Sequence, residues 1–184
     1  MHIPAIRSLF MALAVVLSAA ISAPAAADSK ADLERTSRAA LNKLVAKVPA
    51  AKALNGTAVA VLVFPSITKA GFVVGGQYGE GVLWRGGKAV GYYSTTGASY
   101  GLQAGAQKYG YAMFLMNENA LNALTTAEGF EVGIGPSVVL VDEGMAKSVT
   151  TTTAQNDIYA FIFGQTGLMA GVGIQGNKIT RISK

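Results

Sequence analysis

The sequence predicts an α+β domain that is mostly β: an antiparallel closed barrel or sandwich of short glycine-rich strands, with an N-terminal amphipathic helix and one short internal helix. Three observations predict this class. Apolar runs of five to eight residues, separated by glycine turns, fill most of the chain after residue 57. A single helical periodicity precedes them. Hydrophobic residues make up 51% of the 184-residue chain, which is enough for one buried core.

The first 27 residues have the pattern of a secretory signal peptide. A positive start that includes Arg7 precedes an apolar run over residues 8–21, and three alanines at 25–27 precede Asp28. The apolar run is too short for a membrane-spanning helix. We therefore expect cleavage near Ala27, a single domain over residues 28–184, and a periplasmic or secreted protein.

The expected mature chain has neither histidine nor cysteine, because the only histidine is His2 and cysteine is absent. This excludes cysteine nucleophiles, histidine-based triads, disulfides, structural zinc and a lipid anchor on cysteine. We expect no cofactor, no metal and no enzymatic activity. Its 14 basic and 10 acidic side chains give a modest positive charge. That charge suits an anionic surface but is too small to indicate nucleic acid.

One amphipathic helix is predicted at the start of the mature chain, with Asp32 as its N-cap and Pro49 at its end. A basic helix of this kind can lie at a membrane surface, with its apolar face among acyl chains and its cations near phosphates. The alternative is a helix packed on its own domain with solvated cations. The apolar positions are Leu33, Ala40, Leu41, Leu44, Val45 and Val48, and the cations are Arg35, Arg38, Lys43 and Lys47.

Short strands are predicted from residue 57 almost to the C-terminus, interrupted by one helix over residues 118–126 that Asn117 caps. We expect Pro65 and Ser66 to end the first strand, and glycine turns at Gly86 and Gly176 to join neighbouring strands. The predicted strands cover residues 57–64, 70–77, 81–85, 88–94, 100–107, 109–116, 130–134, 137–141, 158–163, 168–175 and 178–182.

Between Lys69 and Gly81 the chain has five glycines in thirteen residues, set among β-branched and aromatic side chains. Glycine weakens an ordinary strand, so this density predicts a sharply curved backbone or a close approach of another chain segment. A phosphate-binding loop is excluded because strand patterning, and no helix, follows. The run therefore predicts curvature in the sheet and not a site.

The aromatic residues of the strands allow two interpretations. They could form a stacking platform or an interfacial belt, or they could be the core and rim of a small β domain. The sequence favours the core. The residues concerned are Trp84, Tyr92, Tyr93, Tyr100, Tyr109 and Tyr111.

Several short motifs follow one another in a fixed order along the chain: residues 58–64, Lys69-Ala70-Gly71-Phe72, Gly79-Glu80-Gly81-Val82-Leu83, residues 101–105 with Gln107, and residues 167–172 through Gly176. Each motif alone is unspecific, but their order and spacing cover nearly the whole mature chain. Together they resemble the motifs of the SYLF domain family. Gly91-Tyr92-Tyr93-Ser94 replaces the Trp-Ser-x-Pro stretch of the eukaryotic members, so the chain is similar to the exported bacterial branch.

The resemblance implies a non-enzymatic domain that binds phospholipid, because members of the family bind phospholipids and some bind actin. We expect binding of an anionic phospholipid membrane in the periplasm. The alternatives are a scaffold that recognises an envelope protein, or a carrier that holds an acyl chain inside the barrel. The expected headgroup contacts are Arg35, Arg38, Lys43 and Lys47, with Lys69, Arg85 and Lys88 as secondary candidates near the glycine-rich turns.

Overall fold

The computed structural model describes residues 29–126, 129–142, 145–150, 152–164 and 176–184. Four helical segments lie among them: α1 (Lys30–Lys47), α2 (Pro49–Asn55), α3 (Glu118–Thr126) and a 3₁₀ turn (Met145–Lys147). The strands are β1 (Ala60–Arg85), β2 (Lys88–Leu115), β3 (Gly129–Glu131), β4 (Val138–Val141), β5 (Ile158–Phe163) and β6 (Lys178–Ile182). The predicted signal peptide and the predicted strand at 168–175 lie outside the described residues.

The described strands form one six-stranded sheet built around β2. One edge of β2 pairs antiparallel with β1 along nearly its whole length, and the other edge pairs with β6 and then with β5. The α+β class, mostly β, is confirmed. Closure into a barrel is not seen among the described strands, and the pairing of β4 with β5 is parallel, so the expectation of an all-antiparallel sheet is wrong at that point.

The prediction of many short strands is wrong for β1 and β2, which are 26 and 28 residues long. Pro65 and Ser66 do not end β1, because they fall at a shift in register between Phe64 and Ile67, where a bulge absorbs them. Further shifts follow at Gly71/Val73 and Leu83/Trp84. Glycine and proline that look like strand ends in the sequence are therefore bends within two continuous strands.

The glycine-rich run lets β1 approach itself. A Cβ on Gly79 would lie 2.6 Å from Ile67 Cγ1, and a Cβ on Gly81 would lie 2.7 Å from Phe64 Cδ1. Real side chains do not come this close, so only glycine fits at these two positions. The predicted close approach is confirmed, and it brings the end of β1 back beside its beginning.

The two faces of the sheet are covered by different helices. On the outer face, α1 and α2 pack on Val63, Val82, Trp84 and Phe114. On the inner face, α3 packs on the other alternate residues of the strands, which include the fully buried rings of Phe64, Tyr93 and Tyr111. Most of the strand aromatics are thus core, as the sequence favoured. The end of β1 and the start of β2 are joined in a hairpin by Gly86 and Gly87, whose φ angles are +55° and +75°.

Helices α1 and α3 occur where the sequence predicts them, with one shift. The N-cap of α1 is Ser29, whose hydroxyl accepts a hydrogen bond from the Asp32 backbone N–H. Asp32 lies in the first turn, where its negative charge interacts favourably with the helix dipole. The prediction of Asp32 as the N-cap is therefore wrong by about one turn. Pro49 ends α1 as predicted but also begins α2, which the sequence analysis missed. Asn117 caps α3 as predicted.

Candidate functional site

The packing of α1 decides which of its residues can meet a ligand. Leu33 and Leu44 are buried against the outer face of the sheet, and Val48 closes the same contact. The apolar face of α1 is therefore used inside the domain, as the alternative interpretation held. Its cations remain exposed, and any contact of α1 with a membrane in this arrangement uses those cations and not an inserted apolar face.

Ser37 fixes α1 to the end of β1. It is fully buried in the middle of the helix, where its hydroxyl accepts a hydrogen bond of 2.9 Å from the indole Nε1–H of Trp84. The same hydroxyl lies 3.3 Å from the carbonyl oxygen of Val63. Trp84 is 7% exposed. The two hydrogen bonds of the Ser37 hydroxyl thus fix the position of α1 on β1.

Arg38 lies one position further along and covers the same indole. Its guanidinium carbon is 4.0 Å from the Trp84 ring centroid, and Nη2 donates a 2.6 Å hydrogen bond to the carbonyl oxygen of Gly87. A cation over an indole face is attracted by the ring quadrupole. Arg38 is consequently held in one position at the edge of the hairpin, with its remaining N–H groups available.

Tyr92 of β2 contacts two residues of the first turns of α1. The Nζ of Lys30 lies 5.5 Å from the Tyr92 ring centroid, and the Tyr92 hydroxyl donates a hydrogen bond to the Glu34 carboxylate. Burial, followed by this hydrogen bond, raises the pKa of the Tyr92 hydroxyl to about 12. The Tyr92 hydroxyl is protonated at neutral pH, as an ordinary tyrosine also is, and it is hydrogen-bonded to the Glu34 carboxylate.

These residues line an open groove of about 790 Å³ between α1 and the β1–β2 hairpin. We call it the basic groove. It brings together three of the predicted site residues, Arg35, Arg38 and Lys88, and adds Lys30, which the sequence analysis missed. Lys30 is the first residue of α1, and the misplaced N-cap at Asp32 excluded it from the predicted helix. Glu34 is the acidic residue among those that line the groove.

Lys43 and Lys47, also predicted, lie toward the C-terminal end of α1, away from the basic groove. Lys43 lines a separate depression of about 250 Å³ together with Lys108 of β2 and Phe163 of β5. Lys43 and Lys47 both line a small cavity of about 20 Å³ beside it. The predicted cations of α1 thus lie at two sites, because the helix extends from the β1–β2 hairpin to the end of β5. Arg35 and Arg38 line the basic groove, and Lys43 and Lys47 lie at the other end.

The two remaining predicted residues do not join either site. Arg85 forms a 2.6 Å ion pair with Glu118 at the start of α3, and both side chains are about half exposed. Lys69 pairs with Gln107 across β1 and β2, in the same alternation as Ile67 and Tyr109, which belong to the inner face. Neither cation lines the basic groove.

Other classes of site find no support in the part of the chain that the structure describes. There, no three histidine, cysteine, aspartate or glutamate residues come together in a way that could hold a metal ion. In the same residues, no helix has the length and apolar character needed to cross a membrane.

A comparison with known families matches the second half of the chain. The matched model is Ysc84, described as Las17-binding protein actin regulator, and it covers residues 96–184. No curated protein matches the chain. The matched part contains most of β2, with α3 and β3 to β6, whereas α1 and the groove-lining residues precede it. The resemblance to the SYLF domain family that the motifs predicted is confirmed by this match over residues 96–184.

Proposed function

We propose that this domain binds the anionic headgroups of phospholipids at a membrane surface, without catalysing a reaction, in the periplasm or outside the cell. The observation that carries the proposal is the convergence of Lys30, Arg38 and Lys88 on the basic groove, around the rings of Trp84 and Tyr92. The match of residues 96–184 to the Ysc84 domain model, whose description names a binding protein, supports the general class of a binding domain. The choice of lipid rests on the groove.

The charges of the groove are largely uncompensated. Arg35 is paired with Asp32 at 3.0 Å. Among the described residues, no carboxylate lies within ion-pairing distance of Lys30, Arg38 or Lys88. Each cation near an anionic membrane contributes on the order of 1 kcal/mol. Three such cations on one side of the domain give a weak attachment that depends on the anionic fraction of the membrane and on salt.

The structure changes how the helix takes part. A free amphipathic helix would insert its apolar face among acyl chains, but Leu33 and Leu44 are buried in the core of the domain. The contact we propose is therefore between headgroup phosphates and the cations of the basic groove. Salt should weaken it strongly, since the screening length is about 8 Å at physiological ionic strength.

Co-sedimentation with vesicles tests the proposal. Purified protein is mixed with phosphatidylglycerol vesicles or with phosphatidylcholine vesicles, at low and at high salt. We expect pelleting with phosphatidylglycerol at low salt, and loss of it at high salt or in the double variant Lys30→Glu, Lys88→Glu. Lys52→Glu is the matched control, because Lys52 is exposed on α2 and does not line the groove. Equal pelleting with both lipids, or none, would contradict the proposal.

A second candidate function is recognition of a protein partner. It is favoured by the description of the matched family model, which names the binding of Las17 and the regulation of actin. A charge reversal at Arg38 and Lys43 separates the two functions. A protein-binding domain should retain its partner in a pull-down from envelope extract, whereas a lipid-binding domain should lose the vesicles.

The third alternative, an acyl chain carried inside a barrel, has little support in the described residues. The side chains of Phe64, Tyr93, Tyr111 and Met113 fill the inner face and are at most 1% exposed. Space for a chain on that face would require these side chains to move. The described structure therefore favours a site on the outer face.

A further inference from the structure

The second depression on the outer face differs in chemistry from the basic groove. It lies between the C-terminal half of α1, the bulge of β1 at Pro65 and Ser66, and the end of β5. Its volume is about 250 Å³, and the small cavity of about 20 Å³ adjoins it. The two share Ala40, Lys43, Phe163 and Gly164. We call this combined site the amphipathic cleft.

The cleft has apolar walls and a basic rim. Ala40 and Phe163 line both of its parts, and Leu44 and Val48 line the smaller one. The cations at its rim are Lys43, Lys47 and Lys108. All three are exposed.

Among the described residues, no acidic residue lines the cleft, and no salt bridge to its three lysines is found. The basic groove differs in this respect, because Glu34 lines it and Asp32 pairs with Arg35. Like charges that converge without a counter-charge favour an anion from solution. The apolar walls favour an anion that carries a hydrocarbon part.

We propose that the amphipathic cleft binds a single-chain fatty carboxylate. The carboxylate lies between Lys43 and Lys108, within reach of the Ser66 hydroxyl, and the alkyl chain follows Phe163 toward Leu44. A volume of about 250 Å³ holds roughly eight water-sized groups. This corresponds to a carboxylate and the next five or six carbons, so longer chains extend into solvent. The site is separate from the basic groove and does not depend on the function proposed for it.

Titration calorimetry with the purified protein tests the site, with octanoate as the probe. Octan-1-ol has the same chain without the charge, and inorganic phosphate has charge without a chain. We expect octanoate to bind at one site, octan-1-ol to bind at least about tenfold more weakly, and phosphate to give no heat. In a series of carboxylates, affinity should rise about threefold to fourfold for each added carbon and level off near eight carbons. If the alkyl chain bound elsewhere, the affinity of the carboxylates would continue to rise up to dodecanoate. That result would overturn the proposal.

Two variants test the two parts of the cleft. The double variant Lys43→Gln, Lys108→Gln should weaken octanoate binding about tenfold and leave octan-1-ol unaffected. Ala40→Leu should fill the cleft and abolish binding of both, and circular dichroism establishes that it remains folded. Lys52→Gln is the control, because it also removes one positive charge, from an exposed lysine that does not line the cleft. Unchanged octanoate affinity in the double lysine variant would overturn the proposal.

The same variants separate this proposal from the vesicle-binding proposal. Lys30→Glu, Lys88→Glu should lose vesicles and keep octanoate, because neither residue lines the cleft. Octanoate binding that disappears in this variant, and persists in Lys43→Gln, Lys108→Gln, would place the carboxylate in the basic groove and overturn the inference. Vesicle binding that fails while octanoate binds at the cleft would contradict only the function proposed for the groove.

Discussion

The guanidinium of Arg38 lies 4.0 Å above the ring of Trp84 and donates a hydrogen bond to the carbonyl oxygen of Gly87, so one side chain joins α1 to the tip of the β1–β2 hairpin. Arg38 and Gly87 are 49 residues apart in the chain. This contact closes one wall of the basic groove. The groove therefore depends on a tertiary contact and not on the helix alone.

Replacing Arg38 tests the stability that this contact provides. A cation over an indole contributes from about 0.5 to 2 kcal/mol, depending on how far it is removed from water. We expect Arg38→Gln to lower the free energy of unfolding by about 1 kcal/mol, as measured by urea denaturation. Lys52→Gln, an exposed cation on α2, should change it by less than about 0.5 kcal/mol. Equal effects of the two variants would mean that the stacking on Trp84 contributes nothing.

The hydrogen bond between Ser37 and Trp84 predicts a coupled pair of effects. Ser37→Ala leaves the buried indole N–H without a partner, which costs about 1 to 3 kcal/mol. In a Trp84→Phe background that N–H is absent, so Ser37→Ala should cost clearly less. A double-mutant cycle by chemical denaturation measures the difference. Additive effects of the two substitutions would show that the 2.9 Å contact does not stabilise the fold.

Much of the fold follows from the local sequence pattern. The spacing of apolar residues predicts α1, the cap Asn117 predicts α3, and the boundaries of β5 and β6 are those expected. The joining of short segments into β1 and β2 was missed because it depends on pairing across the sheet. Pro65 and Gly79 look like strand ends in the sequence, but β1 is paired with β2 on both sides of each of them.

The candidate site was predictable only in part, for a related reason. The exposed cations of α1 follow from helical periodicity. Which cations act together depends on neighbours far along the chain: Arg85 is paired with Glu118, and Lys43 lines the same depression as Lys108. These pairs have no local pattern. The sequence therefore predicts the basic helix, whereas its division between a groove and a cleft requires the fold.

The close approach of β1 to itself predicts opposite effects at two glycines. A Cβ at Gly81 would meet the Val63 carbonyl oxygen at 2.7 Å, whereas a Cβ at Gly76 has its nearest neighbour at 4.0 Å. We expect Gly81→Ala to lower the free energy of unfolding by about 1 to 3 kcal/mol. Gly76→Ala should be neutral or slightly stabilising, since it restricts the unfolded chain. Thermal denaturation checks both predictions. Equal stability of the two variants would contradict the close approach of the end of β1 to its beginning.

The hydrogen bond from Tyr92 to Glu34 predicts a pH dependence at the alkaline end. Burial and this bond raise the pKa of Tyr92 to about 12, whereas an unfolded tyrosine ionises near pH 10. The contribution of the Tyr92 hydroxyl to the free energy of unfolding is therefore fully present below pH 10, and it is lost as the pH rises toward 12.

The variant Tyr92→Phe isolates that contribution. Its free energy of unfolding should fall less steeply above pH 10 than that of the unmodified protein, because one titrating group is removed. Tyr109, whose pKa burial also raises to about 12, is retained in both proteins, so some pH dependence should remain. Urea denaturation at pH 9, 10 and 11 gives the slopes. Identical slopes in the two proteins would contradict the raised pKa of Tyr92.

The central claim is that phospholipid headgroups occupy the basic groove, and Trp84 reports on that groove directly. It is the only tryptophan of the chain, so its indole N–H gives a single resonance in a nitrogen–proton correlation spectrum. Dihexanoyl phosphatidylglycerol, added below its micelle concentration, should shift this resonance in a saturable manner, and dihexanoyl phosphatidylcholine should not. An indole resonance that stays in place in a protein that still pellets with phosphatidylglycerol vesicles would show that the headgroups bind elsewhere.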